Sequence, residues 1–153
     1  MVSNGKNPSE EKMKILVASD GSKNALRAVR YAAKLDKLLK ERGSVTLISV
    51  HDDAGLRHAE RFVGKKAVMD YLRELSESDL ADARKILDKA EVRHDMIIRV
   101  GHVAREIVKA ASKGGFEMIV MGSKGRSALG DLMIGSVASR VTTMSEIPVL
   151  LVR

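Results

Sequence analysis

The sequence predicts an α/β protein, an open sheet of five parallel strands with helices on both faces. Two observations carry this. Short apolar runs of strand length alternate with longer stretches whose apolar residues recur at helical spacing. The resulting order, β-α-β-α-β-α-β-α-β, is that of parallel strands joined by right-handed crossovers.

Residues 1–12, MVSNGKNPSEEK, are polar and read as a disordered leader before one domain over 13–153. Met13 to Ser19 (MKILVAS) is a compact apolar run ended by Asp20-Gly21-Ser22, and suits a strand buried on both faces. From Ser22 to Arg42, Leu26, Val29, Ala33, Leu38 and Leu39 recur at helical spacing, and Gly43 supplies a stop. Ser44 to Val50 (SVTLISV) is a β-branched second strand. His51 to Gly64 is polar, charged and contains two glycines, so it reads as a loop. Lys65 to Ala90 reads as a helix, with a kink or solvated turn near Ser76 to Asp79.

Val92 to Val100 alternates and is less apolar, as expected of a third strand at a sheet edge. Val103 to Ser112 is a short helix carrying Val103, Ile107 and Ala111, and Phe116 to Met121 is the fourth strand. A glycine-rich loop follows, then a helix from Ser136 to Met144 with Val137, Val141 and Met144 on one face. Ile147 to Val152 is the fifth strand, and Pro148 confines it to an edge or strand-start position.

The 153-residue length fits one domain with one good core. Only four aromatics occur, Tyr31, Phe62, Tyr71 and Phe116, so that core must be aliphatic. The absence of cysteine excludes disulfides, zinc-thiolate sites and iron–sulfur clusters. The first residues lack the apolar stretch of a signal peptide, and no apolar run approaches the roughly 18–20 residues of a membrane helix. A cytoplasmic protein without a membrane partner is expected. The net charge of +7 would suit nucleic acid, but the basic residues are dispersed among carboxylates, as in LREL and ESDLADARK. With no arginine-rich tract and no RNA-binding aromatic signature, nucleic acid is not expected as a partner. An anionic small ligand suits the same charge.

In parallel sheets ligands sit at the carboxyl ends of the strands, where the strand order reverses. After the fourth strand the chain reads MGSKGRSALGDLMIGSVASRV. Two residues separate Gly122 from Gly125, and nine more precede Gly135-Ser136. Glycines permit positive φ and close approach of a ligand. Ser136 opens a helix, whose unpaired N–H groups and dipole favour phosphate. Ser123 and Ser136 add hydroxyls, while Lys124 and Arg126 add positive charge beside the same pocket. No G-x-G-x-x-G follows the first strand, and Gly130 to Ser136 (GDLMIGS) lacks the lysine of a P-loop. The four histidines show no metal-ligand spacing, and His51 and His58 read as surface residues of the loop. Asp131, within the glycine loop, would reach a metal only through water, and no metal ligand is assigned.

The glycine loop resembles that of the universal stress proteins of the UspA type, whose nucleotide-binding pattern is G-x2-G-x9-G-[ST]. KILVASDGSKNALRAV resembles that family's first strand and helix, and IPVLLVR its last strand, so the likeness runs from about residue 13 to 153. The resemblance implies a Rossmann-like sheet of strand order 3-2-1-4-5, and membership of the branch that keeps these glycines and binds ATP. It implies that Ala18, Ser19 and Asp20 line the adenosine pocket and that Val50 contacts adenine. It implies that Met121, Gly122, Ser123, Lys124, Gly125, Gly135, Ser136 and Val137 hold ribose and phosphates. AMP or ADP would share the site, and Mg2+ would accompany the nucleotide. A homodimer through the terminal strand, Pro148 to Val152, is also implied.

Two classes of function stay open from the residues. One is a nucleotide-responsive regulatory module of the stress response. The other is a slow ATPase or nucleotide-transfer enzyme, which needs a positioned acceptor and usually a carboxylate-held metal. No residue set in the sequence supplies a general base, so the binding module is preferred and no catalytic residue is assigned. A nucleotide-free adaptor dimer is the lesser alternative.

Overall fold

The computed structural model describes residues 12–39, 43–52, 54, 56–126 and 133–153. In chain order the elements are β1 (Lys14–Ala18), α1 (Lys23–Leu38), β2 (Ser44–His51), α2 (Leu56–Val63), α3 (Lys65–Lys89), β3 (His94–Val100), α4 (Val103–Lys113), β4 (Met118–Gly122), α5 (Ser136–Met144) and β5 (Val149–Val152). The five strands form one sheet in the order β3-β2-β1-β4-β5, and every pairing is parallel. This is the predicted Rossmann-like arrangement, with β3 and β5 at its edges. Apart from Lys12, the leader read over residues 1–12 lies outside the described residues.

Alternation along each strand builds two cores. In β1, Ile15 and Val17 face α1 and α3, where they meet Ala28, Val29, Leu80 and Leu87. Leu16 and Ala18 face α4 and α5, where they meet Ala104, Ile107, Ala138 and Val141. A strand buried on both faces therefore reads as an unbroken apolar run. Small residues dominate the facing helix surfaces, so the helices lie close to the sheet.

Three local readings are corrected. His51 to Gly64 is not simply a loop: β2 runs through His51, and Leu56–Val63 forms the amphipathic helix α2. Its polar residues are adequate helix formers, and polarity alone does not break a helix. There is no break at Ser76 to Asp79, because α3 is continuous over 25 residues. Ser76 is fully buried there and bonded to the His51 ring, so its polarity is satisfied internally. Helix α1 stops at Leu38 rather than Arg42. Asp36, buried in its last turn, accepts the Gly43 backbone N–H at 2.8 Å and turns the chain toward β2.

Candidate functional site

β1 and β4 lie side by side while their crossover helices cover opposite faces, so the strand order reverses between them. A cleft of about 190 Å³ opens at their carboxyl ends. Eleven of the sequence-selected residues line it: Ala18, Ser19, Asp20, Val50, Met121, Gly122, Lys124, Gly125, Gly135, Ser136 and Val137. Ser123 and Arg126 do not. Ala25, Ile48, Val103, Ile107 and Ala138 line it without having been selected. Ile48 was legible from the two-residue strand period, which sets it on the face of Val50. Val103 and Ile107, one helical turn apart, are apolar residues that the sequence places on the helix without a site role.

The cleft has two chemically distinct halves. Ile48, Val50, Val103, Ile107 and Met121 supply an apolar slot. Asp20, Lys124, Gly125 and the start of α5 supply a polar one. Helix α5 has Gly135 at its N-cap and no side-chain cap. The first N–H groups of such a helix lack intrahelical acceptors, and its dipole adds positive potential. A phosphate fits that end.

Asp20 ties the two loops together. Its Oδ1 accepts the Ser22 N–H at 3.0 Å, and its Oδ2 accepts the Arg126 N–H at 3.2 Å. Capping of α1 belongs to Ser22, whose Oγ accepts the Ala25 N–H. The Asp20 carboxylate is thus free of the capping role and borders the cleft.

The glycines of the motif are needed for space, not for positive φ. Among the described residues the glycines with positive φ are Gly21, Gly64, Gly101 and Gly115. A Cβ on Gly122 would stand 3.0 Å from the Asn24 backbone, and one on Gly125 3.1 Å from Asp20 Oδ2. One on Gly135 would stand 3.3 Å from the Lys124 Cα. The loop folds back on itself there, the Gly135 N–H donating to the Ser123 carbonyl at 2.7 Å.

Ser123 and Arg126 stand beside the cleft rather than in its lining. Ser123 is buried, and its N–H donates to the Val152 carbonyl at 2.8 Å, so its backbone forms the wall behind the cleft. The Arg126 guanidinium lies over Gly21 and pairs with Asp79 of α3. His51 is also not a simple surface residue. It follows Val50, and its Nε2 bonds Ser76 Oγ. Burial pushes its pKa below the ordinary value; Asp79 opposes that shift and Arg126 adds to it. His58 instead lies against Phe62, ring centroids 5.6 Å apart. Among the described residues no group of three or more His, Asp or Glu side chains could hold a metal, and Asp131 lies outside them. No described helix is long and apolar enough to cross a membrane.

Comparison with known proteins agrees with this architecture. Universal stress protein YxiE of Bacillus subtilis is 30% identical over 147 residues, which span 92% of this chain and 98% of its own. Universal stress protein MJ0577 of Methanocaldococcus jannaschii is 30% identical over 92% of this chain and 94% of its own. The solved structure of MJ0577 matches with a TM-score of 0.79, covering 93% of this chain and 96% of its own at 31% identity. A universal stress protein from Archaeoglobus fulgidus, solved in complex with dAMP, shares the fold at a TM-score of 0.68. It is 22% identical, with 94% of this chain and 99% of that one covered. The sequence pattern of the universal stress protein family matches residues 12–153, and with the parallel sheet and its order this chain belongs to that family.

Proposed function

We propose that this chain binds an adenine nucleotide, ATP foremost, and acts as a nucleotide-responsive regulatory module in the stress response. The observation that carries the reading is the two-part cleft, an apolar slot continuous with the uncapped start of α5. The slot takes a flat base, Asp20 accepts hydrogen bonds from the adenosine, and the helix start takes phosphate. AMP and ADP share all but the outermost contacts. The dAMP complex of the Archaeoglobus fulgidus relative supports the reading, since the same fold seats an adenine nucleotide in that protein. Mg2+ would arrive on the phosphates, because no cluster of protein carboxylates among the described residues would hold it alone.

The working compartment is taken to be the cytoplasm, and the working unit a homodimer. Its interface would be β5, a partly buried apolar edge that would be an aggregation hazard if left bare.

The test is direct. Purified protein is denatured and any released nucleotide chromatographed, then fresh protein is titrated calorimetrically with ATP and with AMP. Released or titratable nucleotide without turnover supports the regulatory module. Turnover with magnesium well above background moves the reading to an enzyme. Absence of both binding signals overturns it and leaves the adaptor.

A further inference from the structure

We propose that the chain carries a second anion subsite on the back of its glycine loop, taking a phosphate group between Arg27 and Arg153. A cavity of about 180 Å³ lies there, distinct from the nucleotide cleft. Arg27 comes from α1 and Arg153 follows the last residue of β5, with Lys124 and Asn24 also facing the cavity. Among the described residues neither guanidinium has an ion-pair or hydrogen-bond partner, and no lining side chain is a carboxylate, the α-carboxylate of Arg153 being the one acidic group there. Cations converging on one cavity raise its potential and repel one another. An oxyanion relieves this, and the guanidinium fork matches a phosphate with paired donors.

The start of α1 adds to the same potential. Ser22 caps this helix, so Asn24 lies in its first turn, at the positive end of the dipole. The wall between this cavity and the nucleotide cleft is one backbone thick. It consists of Ser123 and Lys124 laid against Gly135, joined by the hydrogen bond from the Gly135 N–H to the Ser123 carbonyl. Lys124 borders both spaces. An anion behind the wall therefore holds the strip of backbone that shapes the front.

The phosphate group could come from two sources, a free inorganic phosphate or the outer phosphate of a nucleotide reaching round the rim. The first is independent of the nucleotide reading, and the second rests on it. Labelled wild-type protein and the Arg27→Gln/Arg153→Gln double variant are titrated with inorganic phosphate at constant ionic strength, with backbone amides followed by NMR. Both arginines are exposed, so the variant should keep its fold and melting temperature.

Saturable shifts at Asn24, Ser123 and Arg153 are expected, weakened at least about ten-fold in the double variant, while any shifts at Ser136 and Val137 persist. Phosphate shifts confined to Ser136 and Val137, or back-face shifts that survive in the double variant, overturn the proposal. ATP and AMP then separate the sources. ATP affinity falling with AMP affinity unchanged identifies the nucleotide's outer phosphate; both unchanged while phosphate binding is lost identifies the free ion. A wild-type protein that binds phosphate on its back face but neither nucleotide would overturn the nucleotide reading alone.

Discussion

The Asp20 carboxylate accepts the backbone N–H of Arg126 at 3.2 Å, joining loops that lie 106 residues apart in the chain. Asp20 thereby fixes where the glycine loop begins while its carboxylate borders the cleft. Asp20→Ala is expected to weaken ATP at least ten-fold in calorimetry, since a hydrogen bond to a charged group is worth about 1.5–3 kcal/mol. Amide exchange at Gly125 and Arg126 should accelerate in the same variant. Unchanged affinity would remove Asp20 from the site.

The motif glycines should separate into two kinds. A side chain at Gly122 meets the Asn24 backbone, which belongs to a packed helix and cannot yield. Gly122→Ala should therefore destabilise the fold by about 1–3 kcal/mol, measured by denaturant unfolding. Gly125 is exposed and meets only the Asp20 carboxylate. Gly125→Val should abolish nucleotide binding and leave the melting temperature nearly unchanged. Gly135→Val should abolish binding too, with some loss of stability because its neighbour is backbone.

The sequence sets Arg126 as a positive charge beside the pocket, and its guanidinium pairs with Asp79, which is only 12% exposed. Arg126→Ala should change ATP affinity less than about three-fold. A double-mutant cycle with Asp79→Ala, read by unfolding, should give a coupling of about 0.2–1 kcal/mol, because the arginine is half exposed and screened by water. A large loss of affinity in Arg126→Ala would mean that the side chain leaves Asp79 for the ligand.

His51 makes stability depend on pH. Its folded-state pKa lies below the ordinary 6.5, chiefly through burial, with Asp79 and Arg126 as the charged groups acting on it. The unfolded chain then takes up the proton more readily than the folded one. Stability from this group is complete above about pH 6.5 and falls as the pH drops through the folded-state value. Between pH 6.5 and 5 the melting temperature should fall more steeply in wild type than in His51→Gln. Parallel slopes would show that His51 titrates alike in both states.

The dimer reading depends on outward-facing backbone in β5. Pro148 and Val152 turn their carbonyls toward β4, accepting from Ile119 and Ser123, so Leu151 turns its N–H outward. Leu151→Pro should yield a monomer by light scattering, whereas Leu151→Ala, with comparable loss of packing, should remain dimeric. Dimers in both variants would place the interface elsewhere.

The sheet was legible because β1, β2 and β4 are buried on both faces and so write themselves as apolar runs. The glycine loop was legible because its three glycines keep a fixed spacing, and close neighbours at Gly122, Gly125 and Gly135 disfavour larger residues. The destination of the Arg126 side chain was not. Its position beside a phosphate motif suggests a ligand contact, while the partner that wins it lies 47 residues earlier, on α3. The pairing of His51 with Ser76 escaped for the same reason. Polar residues 25 apart carry no periodic signal, and Ser76 read as a break because its partner was unseen. Helix α2 was missed because its charge outweighed its apolar spacing.

The thin wall and the long closure have a consequence for biosynthesis. The floor of the cleft is laid by β1, but its rim is completed only by Gly135, Ser136 and Val137, which are made long after it. Domains emerge from the ribosome at about 5–20 residues per second, so for several seconds the first strands exist without their rim. A ligand cannot template them during that interval. A ligand that needs both floor and rim can stabilise only a chain extended past Val137.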